Sequence, residues 1–170
     1  IASRIPVAEF VPDRSQRRCA KRNANLALRV APPVRTRENF ALYQRYLAAR
    51  HRDGGMDDPD AEDFERFLAC AWSPTRFVEL REGDRLLAVA VTDVLPQALS
   101  AVYTFYDPDE AERGLGTCAI LRQIDLARSN GLPHLYLGYW IADHPKMHYK
   151  ARFRPLERLV EGRWQRDGAA

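Results

Sequence analysis

The hydrophobic period of this chain changes near residue 75, and that change limits the fold more than any other feature. Upstream, apolar residues recur at helical spacing. From Arg76 they alternate (residues 76–81), pass the tight turn Glu82-Gly83-Asp84, and then run almost without interruption over residues 85–94. A run so apolar predicts a strand covered on both faces. After Leu95-Pro96-Gln97 a third extended segment spans residues 98–106. A parallel crossover needs a dozen or more residues, and these turns are far shorter. The three segments are therefore expected as an antiparallel meander.

The flanks follow the same reading. Residues 4–11 read as a strand, placed at a sheet edge by Pro6. Ser15 is expected to cap a short helix over residues 16–23, whose exposed face is almost all basic. Residues 26–31 alternate as a strand does. Pro32 and Pro33 stop them, and Thr36 is a good N-cap for a helix with Phe40, Tyr43, Tyr46 and Leu47 on one face. Residues 51–60 form a loop, and a helix over 61–71 turns Phe64, Phe67 and Leu68 inward. Beyond the meander, Asp107-Pro108 ends the strand. A long helix over 111–129 begins among Asp109, Glu110 and Glu112 and closes at Asn130-Gly131. Residues 134–140 read as a buried strand, Pro145 opens a short helix, and residues 159–165 make a last strand. A strand, two helices, a three-strand meander, a long helix and another strand resemble the GNAT acyltransferase fold. The expected class is α+β, a mixed sheet flanked by helices. Residues 25–170 are expected as one domain, with 1–24 as an appended basic arm.

The net charge of +3 over 170 residues hides a segregation. Residues 1–50 carry 11 basic against 3 acidic side chains, residues 51–110 carry 5 against 14, and residues 111–170 carry 10 against 6. Basic ends around an acidic middle suggest a surface that meets a polyanion. The densest clusters are Arg14, Arg17, Arg18, Lys21 and Arg22, then Lys146, Lys150, Arg152 and Arg154. No apolar run approaches the ~20 residues of a membrane span. The chain opens on Ile1 without a signal-like segment, so a cytoplasmic protein whose front lies elsewhere is expected. Cys19, Cys70 and Cys118 form no CxxC and no zinc spacing; they are expected as reduced thiols, with no metal or cofactor held by this chain.

Arg113-Gly114-Leu115-Gly116-Thr117 stands between the third meander strand and the long helix. GNAT enzymes carry an R/Q-x-x-G-x-G/A stretch there, whose backbone N–H groups bind the pyrophosphate of coenzyme A. Arg113 and Gly116 fit that pattern, whereas Cys118 takes its last small position. Two longer stretches are more specific. Tyr103-Thr104-Phe105-Tyr106-Asp107-Pro108-Asp109 is one, and residues 132–155, LPHLYLGYWIADHPKMHYKARFRP, are the other. Together with RIPVAEFVPDRSQRR near the start, Arg45-Tyr46-Leu47, His51 and Gly55-Met56, they resemble the arginyl- and leucyl-transferases that move an amino acid from aminoacyl-tRNA to protein N-termini. The resemblance spans nearly the whole chain. That family has a further N-terminal region with a cysteine cluster linked to metal or iron–sulfur binding, which the sequence beginning at Ile1 does not include.

The resemblance implies attack by a peptide α-amine on the ester joining an amino acid to tRNA, in an N-degron pathway. The implied partners are aminoacyl-tRNA and proteins beginning with Asp or Glu, and leucine is favoured over arginine as the donated residue. A peptide α-amine has a pKa near ~8, so a modest base suffices. The reacting centre is expected between the 98–106 and 134–140 strands. Asp107 and Tyr106 are the candidates to hold and deprotonate the amine, although Asp-Pro is also a common strand terminator. Backbone donors at Leu115, Gly116 and Thr117 would stabilise the oxyanion. Arg17, Arg18, Lys146 and Lys150 would hold either the acceptor carboxylate or tRNA phosphates. Tyr103 is expected to line the site. Tyr139, Trp140 and Tyr149 would stack on the terminal adenine or line the amino-acid pocket, unless they belong to the core. His144 and His148 read as surface residues. Two alternatives remain open at this point: a coenzyme-A-dependent N-acetyltransferase and a non-catalytic tRNA- or RNA-binding domain.

Overall fold

The computed structural model describes residues 1–50, 61–69, 73–141 and 144–168, with the Lys146 side chain excepted. The expected loop at 51–60 and Cys70 lie outside the described residues. The elements are β1 (Ala2–Pro6), α1 (Arg14–Arg22), β2 (Ala27–Ala31), α2 (Arg37–Arg50), α3 (Ala61–Leu68), β3 (Thr75–Glu82), β4 (Arg85–Leu95), β5 (Ala98–Tyr106), α4 (Leu115–Ser129), β6 (His134–Tyr139), β7 (Glu157–Val160) and β8 (Arg163–Arg166). Two 3-10 segments, Pro108–Arg113 and Pro145–Arg152, precede α4 and β7. The strands form one mixed sheet in the order β2-β3-β4-β5-β6-β1-β7-β8. The meander is antiparallel as expected, and β5–β6 is a parallel pair.

β4 shows why the sheet needs helices on both faces. Val89 and Val91 pack with Tyr43 and Tyr46 of α2 and Phe64 of α3, while Ala88 and Ala90 pack with Leu115 and Ala119 of α4 and Cys19 of α1. A third cluster joins α4 to β1 and β6 through Ile124, Ile5 and Leu135, and Phe10 and Phe153 close it. No helix among the described residues is long and apolar enough to cross a membrane.

Several expectations need correction. β1 is not an edge strand: it lies between β6 and β7. β7 pairs only with Ser3 and Arg4, so Pro6 sits past the end of that ladder and its missing N–H costs nothing there. Residues 1–24, read as an arm, supply β1 to the sheet and pack α1 on α4. The cap of α1 is Asp13 rather than Ser15, in a reciprocal capping box with Gln16 at 2.8 Å each way. Thr36 caps α2 as expected, paired with Asn39. Phe67 is 65% exposed, because only Phe64 and Leu68 of the short α3 reach the sheet. The single helix read over 111–129 is broken at Gly114, whose φ of 63° is left-handed. The last strand is a hairpin of β7 and β8, turned at Glu161-Gly162.

Candidate functional site

A cleft of about 830 Å³ opens where β5 and β6 part. The two strands pair only over Ala98–Ser100 and His134–Tyr136. Past that point both carry a bulge. On β5, Tyr103 faces Val91 and Ala101 faces Thr92, so Val102 is the extra residue. On β6, Ser3 faces Gly138 and Arg4 faces Tyr136, so Leu137 is the extra residue, and Gly138 next to it takes a φ of 73°. A bulge bends and twists its strand. Two of them on facing strands hold the sheet open.

The cleft has an aromatic wall. Tyr46 of α2 meets Tyr103 at 6.2 Å and Tyr106 at 5.0 Å between ring centroids. Arg50 donates to the Tyr46 hydroxyl at 2.5 Å and stands at its ring. Burial raises the hydroxyl pKa of Tyr46, Tyr103 and Tyr149, so these groups stay neutral and available as donors. Tyr46 and Arg50 were not anticipated. Tyr46 stood in the sequence as part of an apolar helix face, and no spacing in α2 marks its hydroxyl as turned toward a cleft.

Next to Tyr106, the start of α4 also lines the cleft. Cys118 N–H makes the first helical bond, to Gly114 at 2.9 Å, so the N–H groups of Leu115, Gly116 and Thr117 have no acceptor within the helix. Gly114 has no side chain to cap them, and among the described residues no other side chain accepts from them. All three residues line the cleft, and Tyr106 packs beside them, its ring 3.6 Å from the place a Cβ on Gly116 would take. The Arg113 side chain does not join them; it pairs with Glu82 and Glu110.

Lys150 enters from the 3-10 segment after β6. It is only 4% exposed, and its ammonium donates to the Tyr139 carbonyl at 2.7 Å. Among the described residues no carboxylate pairs with it. Burial lowers its pKa from the ordinary lysine value. A buried, unpaired cation at the edge of a cleft is costly unless an anion joins it. Tyr139 (72% exposed) and Tyr149 (46% exposed) flank it at the mouth.

The other predicted residues lie elsewhere. Asp107 does not line the cleft. Its buried carboxylate accepts from Arg45 at 2.6 Å, Arg85 at 2.9 Å and the Asp109 N–H at 3.0 Å. Burial alone would raise its pKa, but the Asp109 N–H, Arg85 and Arg45 together hold it below the usual carboxylate value. A carboxylate with both oxygens engaged and a depressed pKa is a poor proton acceptor. Trp140 is a core residue, 8% exposed and packed among Phe10, Leu137 and Phe153. Arg17 and Arg18 lie on the exposed face of α1, outside the cleft. Lys146 stands in the same 3-10 segment as Lys150, and its side chain is outside the described set. His144 and His148 are exposed, as expected.

A mixed sheet parted between parallel strands, with a helix start facing the gap, is the GNAT-like α+β fold that the sequence predicts. Solved structures share it: L-PGS from Bacillus licheniformis superposes at a TM-score of 0.60, with 12% identity over 86% of this chain and 48% of that one. FemX superposes at 0.57, with 9% identity over 85% and 54%. At such identities the likeness is one of fold alone. The sequence is more specific. Residues 38–160 match the family described as arginine-tRNA-protein transferase, C terminus, and the chain belongs to that family. It is 58% identical over 170 residues to the aspartate/glutamate leucyltransferase of Stenotrophomonas maltophilia (strain K279a), covering 96% of this chain and 68% of the relative. The enzyme of that name from Halorhodospira halophila is 57% identical over 162 residues, covering 94% and 68%, and that from Xylella fastidiosa (strain M23) is 55% identical over 168 residues, covering 95% and 66%. The chain spans about two thirds of the length of these relatives.

Proposed function

We propose that this chain transfers leucine from charged tRNA to the N-terminus of proteins beginning with Asp or Glu, marking them for degradation. The observation that carries the reading is the pairing of unsatisfied N–H groups at the start of α4 with a buried cation, Lys150, across one cleft. The names of the relatives supply the donated and receiving residues.

In the reaction the neutral α-amine attacks the ester carbonyl. A C–N bond forms, the ester C–O bond to ribose breaks, and the amine proton ends on the ribose oxygen. The N–H groups of Gly116 and Thr117 hold the developing oxyanion. The Tyr106 hydroxyl orients the amine beside them. Lys150 pairs with the carboxylate of the acceptor's first residue, relieving its own buried charge. Tyr139 and Tyr149 offer stacking faces at the mouth for the terminal adenine. Asp107 acts at a distance, by clamping α2, β4 and the turn before α4. Much of the rate comes from placing two substrates together, since the donor is already an activated ester.

The test is to mix the protein with labelled Leu-tRNA or Arg-tRNA and peptides beginning with Asp, Glu or Ala, with the Stenotrophomonas maltophilia enzyme as positive control. Transfer of leucine to the Asp and Glu peptides alone is expected. No transfer from either tRNA overturns the reading, as does acetyl transfer from acetyl-coenzyme A.

A further inference from the structure

The functional reading requires a tRNA body to lie outside the cleft while its 3′ end enters it, and α1 carries a surface suited to that load. Arg14, Arg17, Arg18, Lys21 and Arg22 recur at i, i+3, i+4, i+7 and i+8, which puts all five on one helical face. All five are exposed, while Gln16 and Cys19 on the other face are buried. The helix holds no acidic residue.

Several other surface arginines are neutralised by carboxylates, Arg4 by Glu157, Arg35 by Glu65, Arg81 by Glu38 and Glu79, and Arg85 by Glu110, whereas scattered ones such as Arg37 and Arg163 have no ion pair among the described residues. On α1 none of the five cations has a carboxylate within ion-pair distance among the described residues. Arg17 donates to the Pro12 carbonyl at 2.6 Å and Arg22 to the Arg113 carbonyl at 3.4 Å, bonds that orient the guanidiniums without cancelling their charge. Uncompensated charge repels itself, so its concentration on one short helix suits an anionic partner.

The stripe also adjoins the cleft. Arg22 Nη2 lies 3.5 Å from the place a Cβ on Gly114 would take, and Gly114 lines the cleft. Asn23 fastens this corner, donating to the Arg113 carbonyl at 2.7 Å. From Arg14 to Arg22 the stripe is ~12 Å long, roughly three or four nucleotides of a duplex strand.

We propose that the basic face of α1 binds the phosphate backbone of the tRNA acceptor stem, leading its 3′ end past Gly114 into the cleft. The inference rests on the functional reading above and separates two roles: α1 takes the nucleic acid and Lys150 the acceptor carboxylate.

The test measures binding of uncharged tRNA to the full chain by fluorescence anisotropy across salt concentrations, for the parent, R17A/R18A and R37A/R163A. The last pair removes the same charge from exposed arginines of α2 and β8. The expected result for R17A/R18A is a Kd raised about tenfold or more, and a slope of log K against log salt shallower by about 1.5 to 2. R37A/R163A should bind as the parent does. The R17K/R18K variant should recover most of the affinity, which a merely structural role of the guanidiniums would not allow. Unchanged affinity and slope in R17A/R18A, or equal weakening in both double variants, overturns the proposal while leaving the transfer reaction intact. A raised KM for acidic protein acceptors with unchanged tRNA affinity assigns α1 to the protein substrate and likewise overturns it. If the parent itself fails to bind tRNA, the functional reading falls first.

Discussion

Two charged residues, similar in the sequence, have opposite fates in the fold. Lys150 is buried at the cleft without a carboxylate, whereas Asp107 is buried between two guanidiniums. For K150M, the KM for Asp and Glu peptides should rise about 30-fold, the ~2 kcal/mol of a truncated buried charge pair, while tRNA affinity holds. Steady-state kinetics with each substrate in turn checks this. Because burial lowers the Lys150 pKa, acceptor binding should weaken with rising pH before an ordinary lysine would titrate. Over the same range kcat should climb as the α-amine loses its proton near pH ~8. A KM for the Asp peptide that is flat to pH 10 would count against Lys150. For Asp107 the sign is the reverse. Its depressed pKa contributes stability that is present above ~3.9 and lost as pH falls through the folded-state value. D107N should lower stability by about 2–3 kcal/mol, or Tm by roughly 5–10 °C, because it leaves Arg45 and Arg85 facing a neutral group. Calorimetry at neutral and acid pH reads this directly, and the gap between D107N and the parent should narrow in acid.

The elements around the cleft are shaped by single backbone positions. Gly114 ends one 3-10 turn and begins α4 in a left-handed conformation that leaves three N–H groups pointing free. In G114A the added Cβ would meet Arg22 and Cys19 only at 3.5 Å, so the cost is backbone strain. About 1 kcal/mol is expected, together with a loss of transfer rate as the start of α4 shifts. Thermal melts and single-turnover rates would separate the two effects. At α1, D13A should cost about 1 kcal/mol by removing the capping box. Hydrogen exchange confined to residues 13–23 would show whether the basic helix frays alone. Phe67, left exposed against Tyr103, shows how weakly an eight-residue helix dictates which of its apolar side chains is covered.

At the scale of the molecule, the two basic ends of the chain meet around one sheet. β1 joins β6 to β7, and α1 lies on α4, so Arg22 of α1 comes beside Gly114 at the cleft although the two are far apart in sequence. On the proposed reading, the charge segregation becomes a division of labour between a polyanion surface and a reaction cleft. Raising salt from about 50 to 200 mM should raise the KM for Leu-tRNA steeply and leave kcat at saturating tRNA nearly unchanged, because exposed ion contacts are screened and the cleft is not. A matching fall in kcat would place the salt-sensitive contacts in the reacting centre instead.

The amino-acid sequence by itself determined the family and most of the local elements, though not their caps, breaks and exact ends. Period-2 apolar runs and short turns can only make the meander, and Asn130-Gly131 can only end a helix of that phase. The long stretches around Tyr103–Asp109 and 132–155, on which the resemblance rests, both lie within the residues 38–160 that match the family. Only the tertiary structure decided which candidates share a site. Tyr106 and Asp107 are neighbours in the chain, yet alternation along an extended backbone sends one to the cleft and the other into an arginine clamp. Tyr139 and Trp140 part in the same way, one to the cleft mouth and one to the core. The opening of the sheet rests on bulges at Val102 and Leu137. A bulge is a mismatch between two strands, and no single strand carries that information in its own sequence.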